Sequence, residues 1–209
     1  MSEQRDKILA CACDLYLSDG LDGFSMRKLA KAIGVTAPAL YRHYESKEKV
    51  LLDVVGEGYR VLVQYLHRAL QGRTPQDRFR MAGERFIDFA LEHRRYYEVL
   101  FMGVELQRLD GGCTGAVADQ GSALNQFWCD RLREAKDAGL LADHDPQASG
   151  VTLWAHSHGL IALYLKGMLP MPEAQFRELY RDSTARVMHG LGPRHHAGRP
   201  ADVRAEPAA

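Results

Sequence analysis

Apolar residues recur at three- and four-residue spacing along almost the whole chain, the period of an α-helix that buries one face. Ile8, Cys11, Ala12, Leu15 and Tyr16 make the first such stripe. Ser18-Asp19-Gly20 stops it, with Gly20 able to take the left-handed conformation that closes a helix. Ser25 reads as the N-cap of a short second helix that carries Met26, Leu29, Ala30 and Ile33 on one face and ends at Gly34. Thr36 is the next cap, Pro38 sits in a first turn where its missing N–H costs nothing, and Leu40 and Tyr44 face inward. Ser46 caps a fourth, longer helix that begins at Lys47 and runs toward Leu70. Past the break at 72–75, the same period predicts helices near 76–93, 94–109, 122–138, 147–168 and 173–191. No run of alternating β-branched residues appears. The expected fold class is all-α, with about nine helices.

Composition refines this picture at two places. Residues 110–121 hold Gly111, Gly112, Gly115 and Gly121 and read as a loop. From Gly192 onward the chain turns to Pro, Gly, Ala, Arg and His with almost no large apolar residue, too little to offset the entropy of ordering it. The expected organisation is a DNA-binding unit over 1–46, a ligand-binding and dimerising unit over 47–191, and a disordered tail over 192–209. The stretch 150–169 is apolar but interrupted by Thr152, His156, Ser157, His158 and Lys166, so a buried helix is expected rather than a membrane span. The opening MSEQRDK has no apolar leader segment, and Cys11, Cys13, Cys113 and Cys129 form no C-x-x-C pair. A cytoplasmic protein with reduced thiols and no membrane partner is the reading that follows.

Charge decides where to look for a partner. The 27 basic and 27 acidic residues cancel over the chain. Between Arg27 and Lys49, however, stand Arg27, Lys28, Lys31, Arg42, Lys47 and Lys49 against only Glu45 and Glu48, a local net charge of +4. Cations are thus gathered on two short helices joined by Gly34-Val35. A helix-turn-helix needs this arrangement: one helix across the phosphate backbone, a compact turn, and a second helix presented to the major groove.

The stretch GLDGFSMRKLAKAIGVTAPALYRHYESKEKVLLDVV, preceded by ILACACDLYLSDG, resembles the TetR family of transcriptional regulators. The likeness covers roughly the first 55 residues, with glycines, cap, the LY-x-H-[YF] element and the following S-K-x-x-L-L in order. It implies a homodimer of helical subunits bound to a palindromic operator on double-stranded DNA, most often a repressor released by a small molecule. A transcriptional activator and a redox-responsive regulator are alternatives on the same fold, and a small-molecule binding protein with no DNA role is a third. The resemblance places Thr36, Ala37, Pro38 and Ala39 at the exposed start of the recognition helix. Tyr41, His43 and Lys47 fall at phosphate-contacting positions, as do Ser25 and Arg27 from the preceding helix. Arg42 holds an outward position where it could meet a base or a phosphate. Because 36–39 offer few hydrogen-bonding side chains, base readout leans on Arg27, Arg42 and groove shape.

The C-terminal half must then supply the dimer and the effector site. WAHSHG resembles an element in one branch of TetR-like C-terminal domains, with Trp154, His158 and Gly159 as its fixed points. The run around it is apolar nearly all round, as a helix buried against both its own domain and a second subunit must be. Gly159 and Leu163, with Phe176, Tyr180, Thr184 and Val187 from the following helix, are the expected dimer contacts across a two-fold axis. Phe86, Phe89, Tyr96, Tyr97, Phe101, Met102, Trp128, Trp154 and His158 are the candidate ligand wall, His158 being the polar anchor. A set without clustered Lys or Arg suits an apolar or aromatic effector.

Other chemistries fit poorly. His156 and His158 stand two apart, about 200° around a helix, and cannot chelate one ion, while His195 and His196 lie in the tail. Ser157 and His158 are helix neighbours that point apart, and no phosphate loop or dinucleotide fingerprint is present. No enzyme, catalytic residue, metal or cofactor is expected. Cys11 is the one thiol placed to disturb the DNA-binding unit, although Asp6 and Asp14 nearby would disfavour its thiolate.

Overall fold

The computed structural model describes residues 2–103, 116–142 and 145–192. Helices α1 (Ser2–Gly23), α2 (Met26–Ile33) and α3 (Ala37–Tyr41) are followed by the long α4 (Lys47–His67), which ends in a 3-10 turn at Arg68–Gln71. Then come α5 (Pro75–Glu92), α6 (Arg94–Phe101), α7 (Ala116–Asp137), α8 (Pro146–Leu165) and α9 (Glu173–Leu191). The described residues contain these nine α-helices and no strand.

Local sequence chemistry sets most of these ends. Ser25, Thr36, Ser46 and Thr74 each accept a hydrogen bond from a backbone N–H in the first turn of the helix they open. Gly34 takes φ 78° and ψ 32° at the close of α2, and only glycine enters that region without strain. Gly20 breaks the first helix as expected, with a positive φ of 68° and non-helical backbone, and a short further turn follows to Gly23. Two expectations need correction. Gly121 lies inside α7, which begins at Ala116; a Cβ built on it would make ordinary contact with the Tyr59 hydroxyl at 3.7 Å. Helix α8 stops at Leu165, short of 168, because Gly167 turns the chain at φ 72°. Cys113, Gly111, Gly112, Gly115 and the tail beyond 192 fall outside the described residues.

One hydrophobic core runs from Ile8 and Leu9 in α1 through Leu40, Val54, Phe89 and Tyr97 to Phe176 in α9, unbroken at the Ser46–Lys47 boundary. A smaller cluster of Leu132, Ala135, Leu141 and Leu153 joins α7 to α8 and packs under Val187. Helix α4 is the spine between the two ends. Arg5 of α1 forks onto Asp53 at 3.2 and 2.6 Å and reaches Glu57 at 3.2 Å. The Tyr44 hydroxyl donates to Asp53 at 2.6 Å, and Arg60 also pairs with Glu57. Glu57 is only 8% exposed, and the Arg60 and Arg5 guanidinia hold its carboxyl below the usual carboxylate range. A buried carboxylate with two hydrogen-bonded cations is costly to break, so this knot fixes α1 and the end of α3 to α4. No helix among the described residues is long and apolar enough to cross a membrane.

Candidate nucleic-acid interface and aromatic site

Helices α2 and α3 meet at a tight turn in which the Val35 N–H donates to the Ala30 carbonyl at 2.9 Å. Met26, Leu29, Ala30 and Ile33 of α2 are buried, while α3 buries Leu40 alone. The outer side of α3 therefore stands clear: Thr36, Pro38, Arg42 and His43 are exposed, Tyr41 is 52% exposed, and Ala37 and Ala39 are half-buried. Arg27, Lys31 and Lys49 are exposed beside it. A helix shown in this way, flanked by cations, has the form of a major-groove reader.

Two cations of this segment are turned inward instead. Lys28 pairs with Asp19 at 2.6 Å and caps the Gly23 carbonyl at 2.8 Å. Lys47 donates to the Leu21 carbonyl at 3.1 Å, so its ammonium braces the end of α1. Ser25 Oγ accepts from the Lys28 N–H at 3.3 Å, which leaves its own O–H to donate outward. A cavity of about 70 Å³ lies between α1 and α3, lined by Ile8, Ile33, Leu40 and Arg42 among others.

The expected ligand wall divides into two groups. His158 of α8 sits in a cage of rings: Phe101 at 4.6 Å, Trp154 at 4.8 Å, Phe86 at 5.2 Å and Tyr97 at 5.6 Å between centroids. Trp128 joins through Phe86 at 6.2 Å. Phe89 and Tyr96 do not belong to it. They stack on either side of His93, at 6.0 and 6.4 Å, in a separate column with Tyr65. The cause is rotation about α5 and α6: Phe86 and Phe89 are three residues apart, yet each follows a different neighbouring helix. Met102 caps the end of α6 and packs half-buried against the core. Trp154 is 55% exposed, so it is an outer wall of the cage rather than an interior one.

Tyr97 is fully buried, and its hydroxyl lies 2.8 Å from His158 Nδ1. His158 Nε2 is buried with no hydrogen-bond partner. Burial pushes the His158 imidazole down to about 4 and lowers His156 as well. The unfolded chain binds a proton near pH 6.5 that the folded chain refuses. Stability should therefore be full above about pH 6.5 and decline as pH falls toward about 4, by on the order of 2–3 kcal/mol for His158. Urea midpoints at neutral and acid pH should differ less in His158→Gln than in the native chain; an equal difference would place the acid sensitivity elsewhere.

The expected dimer residues also separate. Val151 and Leu163 are exposed on α8 and Met168 just past it, while Trp154 is exposed on another side, about 180° around the helix from Leu163. Gly159, one turn from Leu163, is exposed, and a Cβ built on it would meet nothing within 4 Å. Phe176 and Tyr180 correct the expectation: they are 0% and 3% exposed in the single subunit and so have no surface to offer a partner. Phe176 instead stacks on Tyr164 at 4.0 Å, holding α9 to α8. Thr184 and Val187 are half-buried, Val187 against the smaller core cluster. Among the described residues no group of three or more His, Cys, Asp and Glu could hold a metal. Cys13 is buried with its thiol pushed up to about 12 by desolvation, which keeps it unreactive.

Sequence reasoning missed the Arg5–Asp53–Tyr44–Glu57 knot and the Tyr65–Glu92–His93 contact at the end of α4. Their only sequence signal is the presence of charged residues on the inner faces of amphipathic helices.

Comparison with known proteins bears on both halves. Residues 8–54 match the family model for bacterial regulatory proteins of the tetR family, and residues 79–187 match that for the tetracyclin repressor-like C-terminal domain. The chain is 28% identical over 127 residues to the HTH-type transcriptional activator FasR of Mycolicibacterium smegmatis, covering 56% of this chain and 58% of FasR. It is 24% identical over 135 residues to the HTH-type transcriptional repressor KstR2 of the same species, covering 64% of this chain and 65% of KstR2. In these matches the chain spans less than two thirds of either relative. The backbone also superposes on that of AibR, solved in complex with isovaleryl coenzyme A and operator DNA, with a TM-score of 0.71 at 19% identity, over 89% of this chain and 98% of AibR. That likeness is one of fold.

Proposed function

The chain belongs to the TetR family of DNA-binding transcriptional regulators, which are not enzymes, and from that premise we propose a ligand-responsive repressor that binds a palindromic operator as a homodimer. The observation that carries this reading is the exposed outer side of α3, capped by Thr36 and flanked by Arg27, Lys31 and Arg42. Residues 1–46 meet DNA, with Thr36, Ala37, Pro38 and Ala39 at the base edges. Ser25, Arg27, Tyr41 and His43 lie at the phosphates, with Lys47 contributing charge from its brace on Leu21. Residues 47–191 hold the effector and the second subunit. The exposed Gly159 and Leu163, one turn apart on α8, support the second subunit's place. The AibR complex supports effector control by analogy of fold. Both activators and repressors occur among the relatives, and the repressor is the reading preferred here because operator occupancy then needs no further contact with polymerase.

The mechanism is a shift between two separations of the recognition helices. Half-sites one turn of B-DNA apart need helices about 34–36 Å apart. An effector among the rings around His158 favours a wider state, and α4 with its Arg5–Asp53–Tyr44 knot carries the displacement to α1 and α3 as a rigid lever. The effector releases DNA only as far as it binds the wide state better. Selection of genomic DNA fragments by the purified protein, followed by a salt titration, tests this. A palindrome bound far more tightly than random DNA is expected, and weak, sequence-indifferent binding would remove the reading. In the same titration Tyr41→Ala should weaken all sequences alike and lower the salt slope by about one. An unchanged slope takes Tyr41 off the phosphate.

A further inference from the structure

The His158 cage specifies more than an apolar ligand. Tyr97 is fully buried, and among the described residues its hydroxyl has His158 Nδ1 as its one hydrogen-bond partner, at 2.8 Å. A buried O–H left without an acceptor is expensive, so the phenol proton points at Nδ1, which must then be the unprotonated nitrogen. The imidazole is neutral in this apolar setting, so its single N–H sits on Nε2. That atom is buried and has no partner. The rings of Phe101, Phe86 and Trp154 around it offer at most a weak N–H···π contact. The subunit thus holds one unsatisfied, oriented, neutral donor inside an aromatic cage.

Building on the reading that the effector is held here, we infer that the seat at His158 takes a neutral carbonyl oxygen, that of a ketone, ester, thioester or amide, carried on an apolar or aromatic body. The oxygen accepts from the Nε2–H while the rings cover the body. A hydrocarbon leaves the donor as unpaired as it is without ligand. A carboxylate would have to leave water for one neutral donor, and among the described residues no cation belongs to the cage. Trp154 is the wall exposed on its outer side, so it can move to admit the body without opening the core.

Three probes on one phenyl ring test the inference: butyrophenone, butylbenzene and 4-phenylbutanoate, titrated into the purified protein. The chain has two tryptophans, Trp128 and Trp154, and both flank the cage, so their emission reports binding locally. Nitrogen-15 spectra of the histidine rings report the tautomer directly. The expected result is His158 protonated on Nε2, with butyrophenone bound about tenfold more tightly than butylbenzene, the worth of one recovered hydrogen bond. 4-Phenylbutanoate should bind more weakly than both. His158→Phe should erase the ketone's advantage while butylbenzene still binds. Tyr97→Phe, which keeps the ring packing, should leave a mixture of tautomers and a reduced advantage. Equal binding of ketone and hydrocarbon, preference for the carboxylate, or a proton on Nδ1 overturns the carbonyl assignment and leaves the effector reading standing. If none of the three alters the tryptophan emission or the His158 signals, the effector does not bind here and both readings fall.

Discussion

Leu40→Ala should lower the stability of the protein by about 3–5 kcal/mol and abolish tight operator binding. Helix α3 has five residues, far too few to persist alone, and Leu40 is its only buried side chain. Everything that presents Thr36 to Ala39 therefore hangs on one isobutyl group, 1% exposed, wedged toward α1 and α2. Truncation opens a hole between α3 and its neighbours that so short a helix has little means to close. Urea unfolding together with an operator titration makes the check. Tyr41→Ala is the companion, since Tyr41 is half exposed and its loss should cost affinity with little change in stability. If Leu40→Ala unfolds like the native chain, the caps at Thr36 and Gly34 hold α3 unaided.

Gly159→Leu should leave the subunit folded and destroy the proposed dimer. A Cβ at Gly159 meets nothing within 4 Å in the single chain, and replacing a mid-helix glycine should stabilise α8 by up to about 1 kcal/mol. The added side chain points instead into the space where the partner's helix would approach. Sedimentation should show monomers, with the helical signal and urea midpoint unreduced. Operator affinity should fall by a factor of about 100 or more, because two linked half-site contacts become independent. A dimeric Gly159→Leu protein that binds operator would move the interface off this side of α8. Phe176→Ala makes the contrast: its ring is fully buried on Tyr164, so that variant damages the subunit itself.

The N-terminal unit was legible almost residue by residue. Ser25, Gly34, Thr36 and Ser46 act on backbone groups within three or four positions of themselves, so the chemistry that starts and stops α2, α3 and α4 is written locally. The basic segment was equally visible, although only the fold shows that Lys28 and Lys47 turn back onto the end of α1. Gly20 was read correctly as the break of the first helix, and only the short turn that follows it, ahead of the buried Phe24, was not legible.

The C-terminal half divides differently, and α8 shows why. The sequence alone determined that it is a helix, that it is apolar on every side, and that it carries His158 among aromatic company. An amphipathic helix announces its inward face through its polar stripe. One that is apolar all round has no such stripe, so its rotation is decided by which neighbours it meets. Only the tertiary structure brings Tyr97 to His158 across 61 residues, turns Trp154 outward and assigns Phe176 to its own subunit's core. Phe89 and Tyr96 leave the cage for His93 for the same reason. Caps and periods are fixed by contacts a few residues long, whereas a site is fixed by the relative rotation of helices, a quantity that close packing of the whole core sets at once.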